Sequence, residues 1–349
     1  MKILIVSKYH SVNPFVSTIV DELLRMNINI TADTKEFWNN YKSYDIIHFQ
    51  WPEEIFNWKK NINNSDLNRF IYIINDIKKS GIKTCITCHN LKPHITQCVN
   101  ISYLYELLYS SVDAIFHMGK CSESIFREKY PHTKHFYLPH HVYNTKYRFD
   151  IDKIEARKKL NINLNKRIIL AFGNFRNNKE RKMILSLKEQ LSSNYLILTP
   201  GFYRKKIKLK NPVQSINTIL HRIYFKLKGL KFEIGFINDY KTELYFSAAD
   251  IVLIQRIDIL NSGNLPMAFA AGKIVVGPAI GNVGDILSRT NNFVFDPLTS
   301  NSISELIIHT FDSKYANIGK QNKEYSMLYW STEKITRELL CLYDIIFTI

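Results

Sequence analysis

Short apolar runs alternate with longer amphipathic stretches along nearly all of the 349 residues, and this rhythm limits the chain to few architectures. Ile3 to Ser7 reads as a strand. A helix follows from Pro14 to Met26, with Asn13 as its N-cap and Pro14 at its first position. Further strands are expected at Asp45 to Phe49, Ile82 to Cys88, Ala114 to His117 and His135 to Leu138. Helices are expected between them, at Asp66 to Lys79, Cys98 to Ser111 and Ser122 to Lys129. Strand–helix alternation at this spacing implies a parallel sheet covered by helices.

Asn144 to Asp152 is polar and unpatterned and reads as a linker, after which the alternation restarts. Strands are expected at Arg167 to Phe172, Tyr195 to Thr199, Phe232 to Gly235, Asp250 to Ile254, Lys273 to Gly277 and Phe293 to Phe295. Helices are expected at Lys179 to Leu191, Asp239 to Ala248, Leu265 to Ala271, Ser302 to Thr310 and Thr332 to Phe347. The fold class is therefore α/β, with two Rossmann-like doubly wound domains, 1–148 and 149–329, facing a cleft. A chain of this length fits two domains of roughly 150 residues. With 46% hydrophobic residues it has material for two cores.

Five cysteines, an odd and scattered set, do not form a disulfide framework. Cys85-Ile-Thr-Cys88-His89 matches both a haem-attachment pattern and a redox pair. It lies in a run that reads as a buried strand, where free cysteine is ordinary core material. The N-terminal apolar run is too short for a signal peptide, and no stretch is long enough to span a membrane. The expected location is the cytoplasm, free or peripheral to the inner face of the membrane. A net charge of +16 suits phosphates, anionic lipid or nucleic acid alike. No nucleic-acid module is visible, so nucleic acid is not expected as a partner.

In doubly wound sheets ligands bind beyond the carboxyl ends of the strands, so residues just after strands carry the most information. In the second half, Gly173 allows a turn and a close backbone approach, and Arg176 and Lys179 follow at a helix mouth. Cations there oppose the helix dipole, which points to an anionic partner rather than a solvated basic turn. Fixed cations would stabilise a departing diphosphate. Ser262, Gly263 and Asn264 precede another helix, where small polar residues expose backbone N–H groups, as a phosphate cradle or as a plain cap by Asn264. Gly281-Asn-Val-Gly284 is a glycine-rich loop that either touches a donor or simply turns.

In the first half, histidines gather at strand ends: His48, His89, His117, His140 and His141. Any one of them is more often structural than chemical. His89 is the preferred general base because it follows a strand into a polar loop, with Glu53 and Glu54 as carboxylate alternatives. No histidine–carboxylate set has metal-centre spacing, so no metal is expected.

Several of these segments together resemble the retaining glycosyltransferases of family 4, which have the GT-B architecture. The resemblance covers Gly173-x-x-Arg176-x-x-Lys179, Ala248-Ala-Asp-Ile-Val-Leu, Ser262-Gly-Asn-Leu and Gly272-Lys-Ile-Val-Val. It extends to Thr87-x-His89-Asn90-Leu-Lys-Pro-His94 and to a last helix from Trp330 through Tyr343. The resemblance implies a donor site in the second domain, an acceptor site in the first, and a final helix, within 330–349, that crosses back onto the first. It also implies transfer of a sugar from a nucleotide diphosphate sugar, with no further cofactor, to a saccharide or lipid-linked acceptor in cell-surface polysaccharide assembly. Two glutamates that the family usually carries fall on Ile259 and Met267 here, and the second normally binds the donor ribose. That departure keeps a second reading open, a non-catalytic protein that binds nucleotide sugar or polysaccharide. A basic, apolar-interleaved stretch, Arg204 to Lys210 and His221 to Lys228, would suit an anionic membrane surface or a solvated helix face.

Overall fold

The computed structural model describes every residue except 12, 94–97, 204–211, 300–301 and 349, and also leaves out the side chains of 203, 212–218 and 221. The chain divides into two compact units, one of Met1–Tyr143 with Tyr329–Ile349, the other of Asn144–Leu328.

In the first unit β1 (Lys2–Val6), β2 (Asn29–Ala32), β3 (Ile46–Phe49), β4 (Lys83–Cys88), β5 (Ala114–His117) and β6 (Lys134–Tyr137) form one parallel sheet. Its order is β2-β1-β3-β4-β5-β6. The central strands β3 and β5 are buried along their whole length, as expected of strands covered on both faces. Covering helices are α1 (Phe15–Arg25), α2 (Thr34–Asn39), α3 (Pro52–Ile55), α4 (Asn64–Lys79), α5 (Val99–Ser111) and α6 (Lys120–Lys129).

The second unit opens with α7 (Lys153–Lys159). Its strands are β7 (Arg167–Leu170), β8 (Tyr195–Tyr203), β9 (Lys231–Ile234), β10 (Ile251–Leu253), β11 (Ile274–Pro278) and β12 (Phe293–Phe295). They form a second parallel sheet ordered β12-β11-β10-β7-β8-β9. The helices are α8 (Asn178–Gln190), α9 (Pro212–Leu227), α10 (Asp239–Ala248), α11 (Asn264–Ala270), α12 (Gly281–Arg289) and α13 (Ile303–His309). After α14 (Ile318–Trp330), α15 (Thr332–Thr348) returns to the first unit. There Ile335, Leu339, Tyr343 and Ile346 bury one helical stripe, and α15 packs beside α1.

Two doubly wound parallel sheets are thus present, as the alternation predicts. Several elements differ from the sequence reading. The edge strand β2 and the short helices α2, α3 and α7 were not anticipated, because each is too brief to show a period. The glycine-rich loop expected at 281–284 is instead the first turn of α12. Residues 144–152 form no helix or strand but are tied down, with the Arg148 N–H donating to Glu243 at 2.9 Å and Lys146 paired with Asp239 at 2.9 Å. Cys85 and Cys88 are buried free thiols, and burial raises both above the usual thiol range. Among the described residues no helix is long and apolar enough to cross a membrane.

Candidate functional site

In the second unit the strand order reverses between β7 and β10, which lie side by side. The crevice beyond their carboxyl ends is the switch point where this class of sheet receives ligands. Phe172 and Gly173 leave β7 there, and Gln255 and Arg256 leave β10. Two side-chain amides converge on the Phe172 carbonyl, Gln255 Nε2 at 3.1 Å and Asn264 Nδ2 at 2.8 Å. The Asn264 side chain therefore bridges to the end of β7 instead of capping α11, whose cap position is Gly263. Gly173 has φ +94° and donates its N–H to the Pro200 carbonyl at 2.9 Å, a turn that a side chain would strain.

Arg176 and Lys179 are both exposed, the first in the loop before α8 and the second in its first turn. Asn177 caps α8 by accepting the Glu180 N–H at 2.9 Å. The sequence reading missed the buried acid that follows these cations. Glu180, only 1% exposed, accepts the Arg176 N–H at 2.7 Å and the Arg256 guanidinium at 2.8 Å. Burial pulls Arg256 below its usual value, Glu180 opposes that, and the neighbouring charge of Arg176 adds to it. So the helix mouth carries the acid its dipole favours, and a buried arginine holds that acid. Arg256 follows β10 by the same rule that singled out Gly173 after β7, and that rule could have found it.

The loop after β10 is braced by α12. The N–H groups of Asn282 and Val283 both donate to the Leu260 carbonyl, at 2.9 and 3.3 Å. Gly281 has φ +60°, and a Cβ there would lie 2.4 Å from the Ile259 carbonyl oxygen. The contact explains why this position is glycine. Met267 is buried on α11.

The first unit has its own switch point, between β1 and β3. Glu54 spans it, accepting the Ser7 hydroxyl at 2.7 Å and the Lys8 N–H at 3.1 Å, and burial raises its carboxyl above the usual range. Glu53 accepts the Tyr105 hydroxyl at 2.8 Å. His89 is not in an open polar loop as expected. It is 9% exposed, stacked on Trp51 with centroids 4.0 Å apart, and meets the ring of Phe15 edge-on at 5.0 Å.

A polar chain runs behind His89. Its Nε2 lies 2.9 Å from Gln50 Oε1, Gln50 Nε2 lies 3.1 Å from His48 Nε2, and His48 Nδ1 lies 2.6 Å from the Tyr343 hydroxyl. An amide oxygen only accepts, so His89 Nε2 carries the hydrogen in this arrangement. Thr87 also meets His48, at 2.8 Å, and burial pushes His48 down to about 3. The other histidines are engaged structurally. His117 meets Ser122 and His135, His141 meets the Phe15 carbonyl, and His140 meets Tyr143 and the His141 carbonyl. His94 lies outside the described residues. Among the described residues no three His, Cys, Asp or Glu side chains are grouped to hold a metal ion.

No protein-family model and no curated protein matches the sequence. Solved structures do match along the whole chain. Sucrose-phosphate synthase from Thermosynechococcus elongatus is 14% identical, covering 100% of this chain and 99% of its own, with a TM-score of 0.77. Anabaena HepE in complex with UDP-glucose is 15% identical, covering 99% of both chains, with a TM-score of 0.71. A glycosyltransferase from Rickettsia africae is 14% identical, covering 99% of this chain and 98% of its own, with a TM-score of 0.65. At such identities the likeness establishes the fold, which is GT-B.

Proposed function

We propose that the chain is a glycosyltransferase that moves a sugar from a nucleotide diphosphate donor to a saccharide or lipid-linked acceptor in cell-surface polysaccharide assembly. The observation that carries this reading is the β7/β10 switch point, where a Gly173 turn leads into the exposed cations Arg176 and Lys179. In this reading the two cations grip the diphosphate and stabilise the charge that grows on it as the sugar leaves. Gly173, Ser262, Gly263 and Asn264 offer backbone to the phosphates, and Gly281 holds the 259–261 loop in place. The cations do the work a metal would otherwise do, and no cofactor beyond the donor is invoked. HepE is described with UDP-glucose, which makes uridine the base to test first.

The acceptor belongs to the first unit in this proposal. His89 takes the proton from the acceptor hydroxyl as it attacks the anomeric carbon. Retention of configuration follows from the resemblance to family 4.

A thermal-shift screen against UDP, GDP, ADP and CMP sugars tests the donor half, because a ligand that binds only the folded state raises its melting temperature. A shift with one donor, followed by transfer to an oligosaccharide or polyprenyl-linked sugar, is the expected result. No shift and no transfer with any donor would overturn the proposal. A second reading, a non-catalytic binder, is favoured by one observation: the buried Met267 stands where the family's ribose-binding glutamate would be. Binding without transfer to any acceptor would select it.

A further inference from the structure

Among its described side chains the helix α9 carries large apolar groups on two opposite sides, and only one of these sides is used by the fold. Phe225 is 3% exposed and packs on Phe202 in the core of the second unit, with ring centroids 5.2 Å apart. Ile219, Leu220, Ile223, Tyr224 and Leu227 are all exposed, Leu220 by 57% and Leu227 by 83%. At about 100° per residue these five span an arc of about 140°, whose centre lies nearly opposite Phe225. A single exposed leucine needs no explanation, but five side chains aligned on one helical face mark a surface that something covers.

Charge identifies the occupant. Between Arg222 and Phe232 the sequence has four basic residues, Arg222, Lys226, Lys228 and Lys231, and no acidic one. On α9 and just past it, Lys226 and Lys228 flank the two borders of the apolar arc. Lys228 reaches Glu189 at 3.2 Å, an exposed pair of little strength that a stronger anion can displace. A second copy docked on this face would bring like charges together. A nucleic acid would satisfy the lysines and leave the aliphatic side chains in water. The boundary between anionic headgroups and acyl chains satisfies both, with lysine stems lying along the apolar surface and their ammonium groups among the phosphates.

We propose that the exposed face of α9 seats the second unit on an anionic lipid surface. The inference goes beyond sugar transfer and is read without donor or acceptor, so the two can fail separately. The test is sedimentation of the full chain with phosphatidylcholine vesicles, with and without phosphatidylglycerol. The chain should partition onto the anionic vesicles, weakly onto the neutral ones, and less as salt rises. Ile223→Ser with Leu227→Ser should lower partitioning by at least about tenfold, since each buried methylene contributes to binding. Lys226→Glu should lower it by at least about fivefold, because each cation near the surface contributes about that factor. The melting temperature should not fall in either variant, because the altered side chains lie on the exposed face. No partitioning onto anionic vesicles, or partitioning that both variants leave unchanged, overturns the proposal. So does a dimer, seen by light scattering, that the same substitutions dissolve while lipid binding persists.

Discussion

Glu180 and Arg256 form a buried ion pair at 2.8 Å that joins the first turn of α8 to the residues leaving β10. Removing one partner of such a pair leaves a buried charge uncompensated, at a cost of about 3–5 kcal/mol. Glu180→Gln should therefore destabilise the second unit by roughly that amount. Hydrogen exchange should rise in 167–180 and 251–257, and Glu180→Gln with Arg256→Met should recover part of the loss. An unchanged exchange pattern in the single variant would remove the pair from any account of the site.

Arg176 and Lys179 give the opposite expectation. Both are exposed, so Arg176→Ala and Lys179→Ala should leave the melting temperature nearly unchanged. Each should lower kcat/KM for sugar transfer by on the order of 10² to 10³, the usual cost of losing one preorganised charge-stabilising group. Rates equal to the parent with a verified donor would refute their assigned role.

On the acceptor side, His89→Ala should lower kcat by on the order of 10² or more if the imidazole takes the hydroxyl proton. Gln50→Leu leaves the imidazole in place but removes the acceptor that fixes its tautomer. It should give a smaller loss together with a shifted acidic limb in the pH–rate profile. Parent-like kinetics in both variants would return His89 to a structural role.

Acid should loosen the first unit before the second. Burial lowers His48 and His117 to about 3 and His140 to about 4, against 6.5 for an open histidine. These groups bind fewer protons folded than unfolded, so they stabilise the fold above the open value and lose that contribution as pH falls through their folded values. Stability should thus drop between pH 6.5 and about 4, continuing toward 3. Trp38, Trp51, Trp58 and Trp330 all lie in the first unit, so tryptophan fluorescence reports it alone. A melting midpoint flat across that range would contradict the prediction.

Gly281→Ala tests the brace on the 259–261 loop. The positive φ and the approach to the Ile259 carbonyl penalise a methyl group twice, so destabilisation should exceed about 1 kcal/mol. Chemical denaturation followed by circular dichroism would measure it.

The alternation of apolar runs was enough to find both sheets, because strands covered on both faces are written as continuous hydrophobic runs such as Ile3–Val6. Short edge elements such as Asn29–Ala32 have no such signature. Position after a strand singled out Gly173, Arg176 and His89. It gave no hint that Glu180 turns inward, because a glutamate beside two cations reads as a solvated helix start until Arg256, 76 residues later, is brought against it. The stacking of His89 on Trp51 was hidden for the same reason: both residues lie just past strand ends, and only the β3–β4 register sets them side by side.

The contact between His48 and Tyr343 sets a schedule for synthesis. The two residues are separated by 295 positions, so His48 leaves the ribosome on the order of 15–60 s before its partner exists. Through that interval water must stand in for the tyrosine hydroxyl, and the stripe later covered by α15 stays wet. The half of the molecule made first is therefore the half finished last, and a chaperone holding the nascent chain would have to guard it until translation has passed residue 343.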